Sequence, residues 1–225
     1  MSFETESPSM RYRALLLDFD FTMGDSAEGI IYCANTALRG MGLEERSREK
    51  IMSTIGYSLR EKYIRLTGDM DDARGEEFVR RFVEAADADM TRMATLYPET
   101  LPLIRRVRTA GMKVGVVTTK YRRRITEILD KYKVPDIVDV IIGGDSVDNA
   151  KPAPDGLIAA SKALGIPISD IFYVGDSHVD AQAAESAGMD FAAVLTGTTP
   201  EEVLRKYPHV AILESIGSLD EILKL

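Results

Sequence analysis

Two aspartates, Asp18 and Asp20, stand one residue apart in "LLLDFDFTMGDS" (15–26), directly after a run of leucines. Alternation of side chains along a strand would put both carboxylates on the same side of its exit. Two close carboxylates repel, and burying them uncompensated costs on the order of several kcal/mol or forces one to protonate. A divalent cation resolves that conflict, and carboxylate oxygens are the hard ligands that magnesium prefers. The plain alternative is an exposed strand end carrying two solvated acids.

Other reactive residue types stand at the ends of other apolar runs. "VVTT" ends in Thr118 and Thr119, "NAKPAPDG" carries Lys151 just before a helix that Pro152 and Pro154 help to start, and "YVGDSHVD" delivers Asp176 with Asp180 four residues on. In an open parallel sheet, ligands bind beyond the carboxyl ends of the strands. Asp18, Asp20, Thr118, Lys151 and Asp176 are therefore expected to converge, and a core needs none of them there.

The elements that must position them follow from hydrophobic periodicity. Short apolar runs at 13–19, 112–119, 138–144, 170–176, 191–195 and 209–213 read as strands buried on both faces. Helical patterns lie between or after them at 100–110, 121–132, 154–164, 180–187, 200–206 and 218–224. This alternation predicts an α/β chain whose parallel strands are joined by right-handed crossovers. Between Ser26 and Leu96 no strand is evident, and helical patterns recur at 26–40, 46–54, 59–67 and 76–94. The expected architecture is a Rossmann-like, doubly wound parallel sheet core (1–24 and 96–225) with an inserted all-helical cap domain (25–95).

Composition excludes several classes. The chain has 225 residues, 45% hydrophobic and 28% charged, which suits a globular protein with a sizeable core. A net charge of −8 argues against a nucleic-acid partner, since phosphate backbones are bound by excess Lys and Arg. No uncharged apolar stretch reaches the roughly 18 residues of a membrane span. "MSFETESPSMRYR" lacks the apolar stretch of a signal peptide and reads as a short lead-in. Cys33 is the single cysteine, which points to a reducing, cytoplasmic setting.

The order "DFDFT", "VVTT", "KPAPD", "GDSHVD" resembles the four signature motifs of the haloacid dehalogenase superfamily. The chain is similar to its helical-capped branch of phosphoglycolate phosphatases, pyrophosphatases and β-phosphoglucomutase. The resemblance implies a Mg2+-dependent phosphatase acting on a small phosphorylated substrate. It makes Asp18 the nucleophile that forms an aspartyl-phosphate and Asp20 the general acid and base. It assigns the metal to Asp18, the backbone carbonyl of Asp20 and Asp176, with Asp180 orienting a metal-bound water. Thr118 and Lys151 would hold the phosphoryl group and neutralise its charge. One departure is Phe21, where the family usually has glycine; a bulky ring there should alter the wall facing the cap.

Substrate choice is expected to involve Thr119 and Lys120, in a "TTK" triplet resembling the pyrophosphatase branch, with Lys120 and Arg122 meeting a second anionic group. The alternative for "KYRRR" is a solvated basic face balanced by Glu127 and Asp130. In the cap, "TIGYSLREKY" (54–63) offers Gly56 for close approach and Arg60 as a cation. His178 reads as a non-catalytic neighbour at the rim and Cys33 as packing. Two readings compete: a phosphosugar mutase, which returns the phosphoryl group to substrate, and a phospho-receiver signalling module. The expected assembly is a monomer or homodimer, with neither nucleic acid nor membrane as partner.

Overall fold

The computed structural model describes residues 11–225, so most of the N-terminal lead-in lies outside the described residues. The six expected strands all form: β1 (Ala14–Leu17), β4 (Lys113–Val117), β5 (Val140–Ile142), β6 (Ile171–Gly175), β7 (Asp190–Val194) and β8 (Ala211–Leu213). They make one parallel sheet in the order β5-β4-β1-β6-β7-β8. A further pair, β2 (Gly24–Asp25) and β3 (Thr95–Leu96), forms a two-residue antiparallel ribbon. Runs this short carry no periodicity, which is why 24–25 and 95–96 read as loop in the sequence.

Alternation along β1 divides the core. Leu15 and Leu17 point into one apolar layer with α5 (Thr100–Thr109), α6 (Arg122–Lys131) and α10 (Asp220–Leu223). Ala14 and Leu16 point into the other, with α7 (Asp155–Leu164), α8 (His178–Ala187) and α9 (Glu201–Leu204). All four β1 residues are fully buried, as a central strand covered on both faces requires.

Between β2 and β3 run α1 (Ala27–Gly40), α2 (Arg48–Met52), α3 (Leu59–Thr67) and α4 (Asp72–Met93). They share a third apolar cluster that includes Ile30, Cys33, Tyr63, Phe78 and Phe82. Ser47, Ser58 and Asp71 each accept a bond from a backbone N–H in the first turn of the helix that follows, and Gly68 closes α3 in the left-handed conformation. Cys33 is packed inside this cluster, and burial pushes its thiol up to about 12.

The register aligns the strand ends. Leu17 stands opposite Val116 on β4 and Val174 on β6, so the residues following all three strands emerge at one edge. β1 is also where the chain, having built outward through β4 and β5, crosses back to build β6 to β8 on the other side. That makes β1 the switch point at which a ligand crevice is expected.

Candidate active site

Asp18 follows β1 with its side chain buried. Lys151 Nζ donates to Asp18 Oδ1 at 2.8 Å, to Asp180 Oδ1 at 2.5 Å, to Tyr173 Oη at 3.0 Å and to the Val117 carbonyl at 3.2 Å. The lysine is itself buried, and burial disfavours its ammonium. The two carboxylates outweigh that cost and hold its pKa above the ordinary lysine value.

Asp180 is saturated. Oδ1 accepts from Lys151 and from Tyr173 Oη (2.5 Å), while Oδ2 accepts from Ser177 N (3.1 Å) and Ser177 Oγ (2.5 Å), closing a capping box on α8. Burial works to raise its pKa, but Lys151, Ser177 and Tyr173 hold it below the usual carboxylate range. Glycine at 175 makes this fold-back possible, since a Cβ there would sit 2.5 Å from the Asp180 carboxyl carbon.

Asp176 completes a buried trio with Asp18 and Asp180, one carboxylate oxygen of each lying within 4.8 Å of the others. No described residue donates a hydrogen bond to its carboxylate. Burial, reinforced by Asp180 and Asp18 against the pull of Lys151, raises its pKa well above the ordinary value. Burial likewise pushes Asp18 up to about 7, with Lys151 opposing and Asp180 and Asp20 adding to the rise. Two buried carboxylates left short of donors beside a saturated third are a donor set of hard oxygens suited to a divalent cation.

Asp20 lies outside that trio. Its carboxylate accepts two bonds from Lys120 Nζ, each 2.9 Å, and one from Ser26 Oγ. The acid pair of the opening motif therefore does not share one charge partner: Asp18 has Lys151 and Asp20 has Lys120. The intervening loop is tightly wound, with the Phe19 carbonyl accepting from Thr22, Met23 and Gly24. Phe21 takes φ +59° there, a left-handed conformation unusual for a bulky residue, and its ring enters the helical insert's cluster.

Thr118 is buried and its Oγ1 accepts from Lys120 N at 3.2 Å. Thr119 and Lys120 line a cavity roofed by Gly56, Tyr57 and Lys62. Gly56, at φ +96°, is where the insert comes down on the core: a Cβ there would be 3.5 Å from Ser177 Oγ. Beside it Tyr57 Oη and His178 Nε2 are 2.7 Å apart, so His178 joins the two layers at the rim.

Two expectations need correction. Arg60 does not reach the cluster; it is folded back over Gly75, with bonds to the Asp71 and Met70 carbonyls and to Asp72. The "KYRRR" run is only partly a solvated face: Arg122 and Arg123 are exposed, whereas the side chains of Lys120 and Arg124 are nearly excluded from solvent. Lys120 is spent on Asp20, Arg123 pairs with Asp87 at 2.6 Å, and buried Arg124 bridges Asp87 and Glu127, tying α6 to α4. Arg122 instead uses its backbone N–H, which Asp145 Oδ1 accepts at 2.8 Å, so an acid from another loop caps the α6 N-terminus.

Several residues of the site were not singled out from sequence. Tyr173 is hidden in an apolar strand run and Ser26 in a turn. Lys62 had a readable signal: with Leu59, Tyr63 and Leu66 it occupies one helix face at i, i+3, i+4 and i+7, whereas Arg60 lies off that stripe.

The comparisons with known proteins agree with this geometry. The family profile "Haloacid dehalogenase-like hydrolase" matches residues 15–194. A phosphoglycolate phosphatase of Cereibacter sphaeroides is 31% identical over 214 residues, covering 93% of this chain and 97% of the relative. One from Nitrosospira multiformis is 33% identical over 184 residues, 78% of this chain and 80% of its own. A haloacid dehalogenase-like hydrolase structure from Bacteroides fragilis superposes with a TM-score of 0.90 at 36% identity, covering 92% and 99% of the two chains. The chain belongs to the haloacid dehalogenase-like hydrolase family. Within that family it is a phosphatase. Among the described residues, no helix is long and apolar enough to cross a membrane.

Proposed function

We propose that this phosphatase hydrolyses a small phosphorylated metabolite, a phosphoglycolate-like ester or pyrophosphate, through an aspartyl-phosphate on Asp18 and with Mg2+ as cofactor. The observation that carries the reading is the division of labour between the two acids. Asp18 sits with Lys151 and the carboxylate trio, while Asp20 is held apart by Lys120 and Ser26.

Asp18 Oδ2 attacks phosphorus, the bond from phosphorus to the leaving oxygen breaks, and Asp20 passes that oxygen a proton. Asp20 then takes a proton from water as it attacks the aspartyl-phosphate, and the Asp18–phosphorus bond breaks to release phosphate. Lys151 offsets negative charge on Asp18 and on the transferring oxygens throughout, and Thr118 contributes a hydroxyl to the phosphoryl site. Asp18, Asp176 and the Asp20 carbonyl would hold the cation, with Asp180 orienting Lys151 and the surrounding polar groups. When bound, the cation supplies the positive charge that lets the phosphate dianion approach three carboxylates.

In this reading residues 25–95 act as a cap over a core formed by 1–24 and 96–225, with the β2–β3 ribbon as the neck between them. Cytoplasmic operation as a monomer or homodimer, without nucleic acid or membrane, accords with a net charge of −8 and a lone, buried cysteine.

The test is phosphate release from 2-phosphoglycolate, pyrophosphate and hexose phosphates with Mg2+, for wild type and Asp18→Asn. Asp18→Asn is expected to fold and to lose at least ~10³-fold in kcat. Retention of about a tenth of the wild-type rate would remove Asp18 as nucleophile. Isomerised hexose phosphate in place of free phosphate would make the protein a mutase.

A further inference from the structure

Four cations line the cavity beneath α3: Lys62, Lys120, Arg123 and Arg124. Three of them are paired with carboxylates, Lys120 with Asp20, Arg123 with Asp87, and Arg124 with Asp87 and Glu127. Lys62 is the exception. It is only 3% exposed, and its Nζ donates to two neutral oxygens, the Thr54 carbonyl at 2.7 Å and Thr54 Oγ1 at 2.9 Å. An ammonium has three donors, so one remains without a described acceptor. No described carboxylate lies in ion-pair contact with it.

A buried cation without an anion is costly, and proteins keep one where a ligand supplies the missing charge. Burial, opposed by Asp20 and assisted by Lys120, pushes Lys62 down to about 7, so an anion placed beside it would favour the ammonium form. Its surroundings suit a compact ligand. Ile30, Phe82, Ala86 and Met90 form an apolar wall, and the cavity offers about 60 Å³ of water-accessible space. Low polarability on that side strengthens any charge–charge contact made inside. Asp20, the proposed proton donor to the leaving group, lines the same cavity, so whatever departs from phosphorus departs toward Lys62.

We propose that Lys62 is the specificity residue for a second anionic group on the leaving portion of the substrate, a carboxylate or a second phosphate. This rests on the phosphatase reading above and narrows it: the substrate is a small dianionic or trianionic phosphate compound rather than a neutral sugar phosphate. It also moves the substrate-reading cation from Arg60 and Lys120, where the sequence suggested it, to a residue of the same segment that faces the site.

The experiment compares wild type, Lys62→Met and Lys62→Arg on 2-phosphoglycolate, pyrophosphate and 2-hydroxyethyl phosphate, a neutral-tailed analogue of the first. Methionine keeps the length and apolar stem and removes the charge; thermal melts confirm folding. For Lys62→Met, KM for the anionic substrate is expected to rise ~30-fold or more with kcat within ~3-fold, and KM for 2-hydroxyethyl phosphate to move less than ~3-fold. Lys62→Arg should recover most of the discrimination. Selective loss on 2-phosphoglycolate identifies the carboxylate and selective loss on pyrophosphate the second phosphate; either supports the proposal. An equal loss on all three compounds would overturn it and leave Lys62 as a tether for the Thr54–Tyr57 loop. If wild type hydrolyses no phosphate compound, the phosphatase reading fails separately. Calorimetric binding of 2-phosphoglycolate and pyrophosphate then decides the matter for Lys62, a tenfold loss of affinity for either in Lys62→Met supporting it and unchanged affinities refuting it.

Discussion

Lys120 Nζ lies 2.9 Å from each carboxylate oxygen of Asp20, a residue 100 positions earlier in the chain. Both side chains are nearly excluded from solvent, at 8% and 9% exposure, and Ser26 Oγ accepts a third bond from the same ammonium at 2.9 Å. The contact fixes the direction in which Asp20 faces and separates it from the acid trio. Lys120 is thus a positioning residue for the second aspartate, which makes its loss distinguishable from that of Lys62.

Lys120→Met is expected to lower kcat by ~10–100-fold on every phosphate substrate while KM changes less than ~3-fold, because an untethered Asp20 no longer points at the leaving oxygen. Steady-state kinetics on 2-phosphoglycolate and 2-hydroxyethyl phosphate check this. The variant also strands a buried carboxylate, so it should melt below wild type and be assayed well under its midpoint. A KM increase confined to the anionic substrate would put Lys120 on the leaving group instead.

Stability should respond to pH and to metal together. Asp18, raised to about 7, and Asp176, raised well above the ordinary value, both have folded-state pKa values above those of the unfolded chain. The Asp18 contribution to stability is full below about pH 4 and is lost as pH climbs through about 7, and that of Asp176 is lost in the same direction, as pH rises. Asp180 acts in the opposite sense, its contribution being lost only when pH falls through its lowered value. Metal-free protein should therefore lose melting temperature between about pH 5 and about pH 8, and excess Mg2+ should restore it most at the higher pH. Thermal shifts of equal size at both ends would show that the trio's protons do not compete with the cation.

Gly197→Ala tests the geometry of Asp176 without changing any charge. A Cβ at 197 would stand 1.9 Å from Asp176 Oδ2, far inside contact, so the carboxylate or the loop must move. The expected result is weaker Mg2+ activation, by ~10-fold or more in the concentration needed for half-maximal rate, with the fold retained. Activation indistinguishable from wild type would mean that Asp176 tolerates displacement and is not a ligand.

Phe21→Gly removes a ring from the helical cluster and relieves a positive φ in one change. Emptying the ring's site costs about 3–5 kcal/mol, and relief of the left-handed backbone returns roughly 1 kcal/mol. A net destabilisation of about 2–4 kcal/mol by urea unfolding is expected, with KM rising because the ring no longer holds the insert against the core. A stability equal to or above wild type would show that backbone strain outweighs the ring's packing.

Much of this molecule was legible in one sequence. Strands such as 112–119 and 170–176 announce themselves through unbroken apolar runs, a property of neighbouring residues that needs no knowledge of the fold. The sequence led to an expected convergence of Asp18, Asp20, Thr118, Lys151 and Asp176, since register in a parallel sheet brings strand ends to one edge, and the structure brings Asp18 together with Lys151 and Asp176. The four insert helices were equally readable from their stripes, except that α4 begins at Asp72, capped by Asp71, earlier than its apolar residues indicate.

Pairings were not legible. The sequence put Asp18 and Asp20 in one electrostatic problem with one cation as its answer, whereas the loop wound about the Phe19 carbonyl turns them to separate lysines. It weighed Arg60 where Lys62 faces the cavity, and a solvated arginine run where Arg124 is buried between α4 and α6.

The sheet, the helical insert and the list of reactive groups at the strand ends can be read without the fold, because they depend on periodicity and on short-range chain geometry. Long-range packing alone dictated which charge meets which, that Phe21 enters the insert's core, and that Lys62 has no carboxylate partner among the described residues. Those outcomes depend on contacts of a few ångströms between residues far apart in the chain, which differ between side chains of identical charge according to backbone direction and burial.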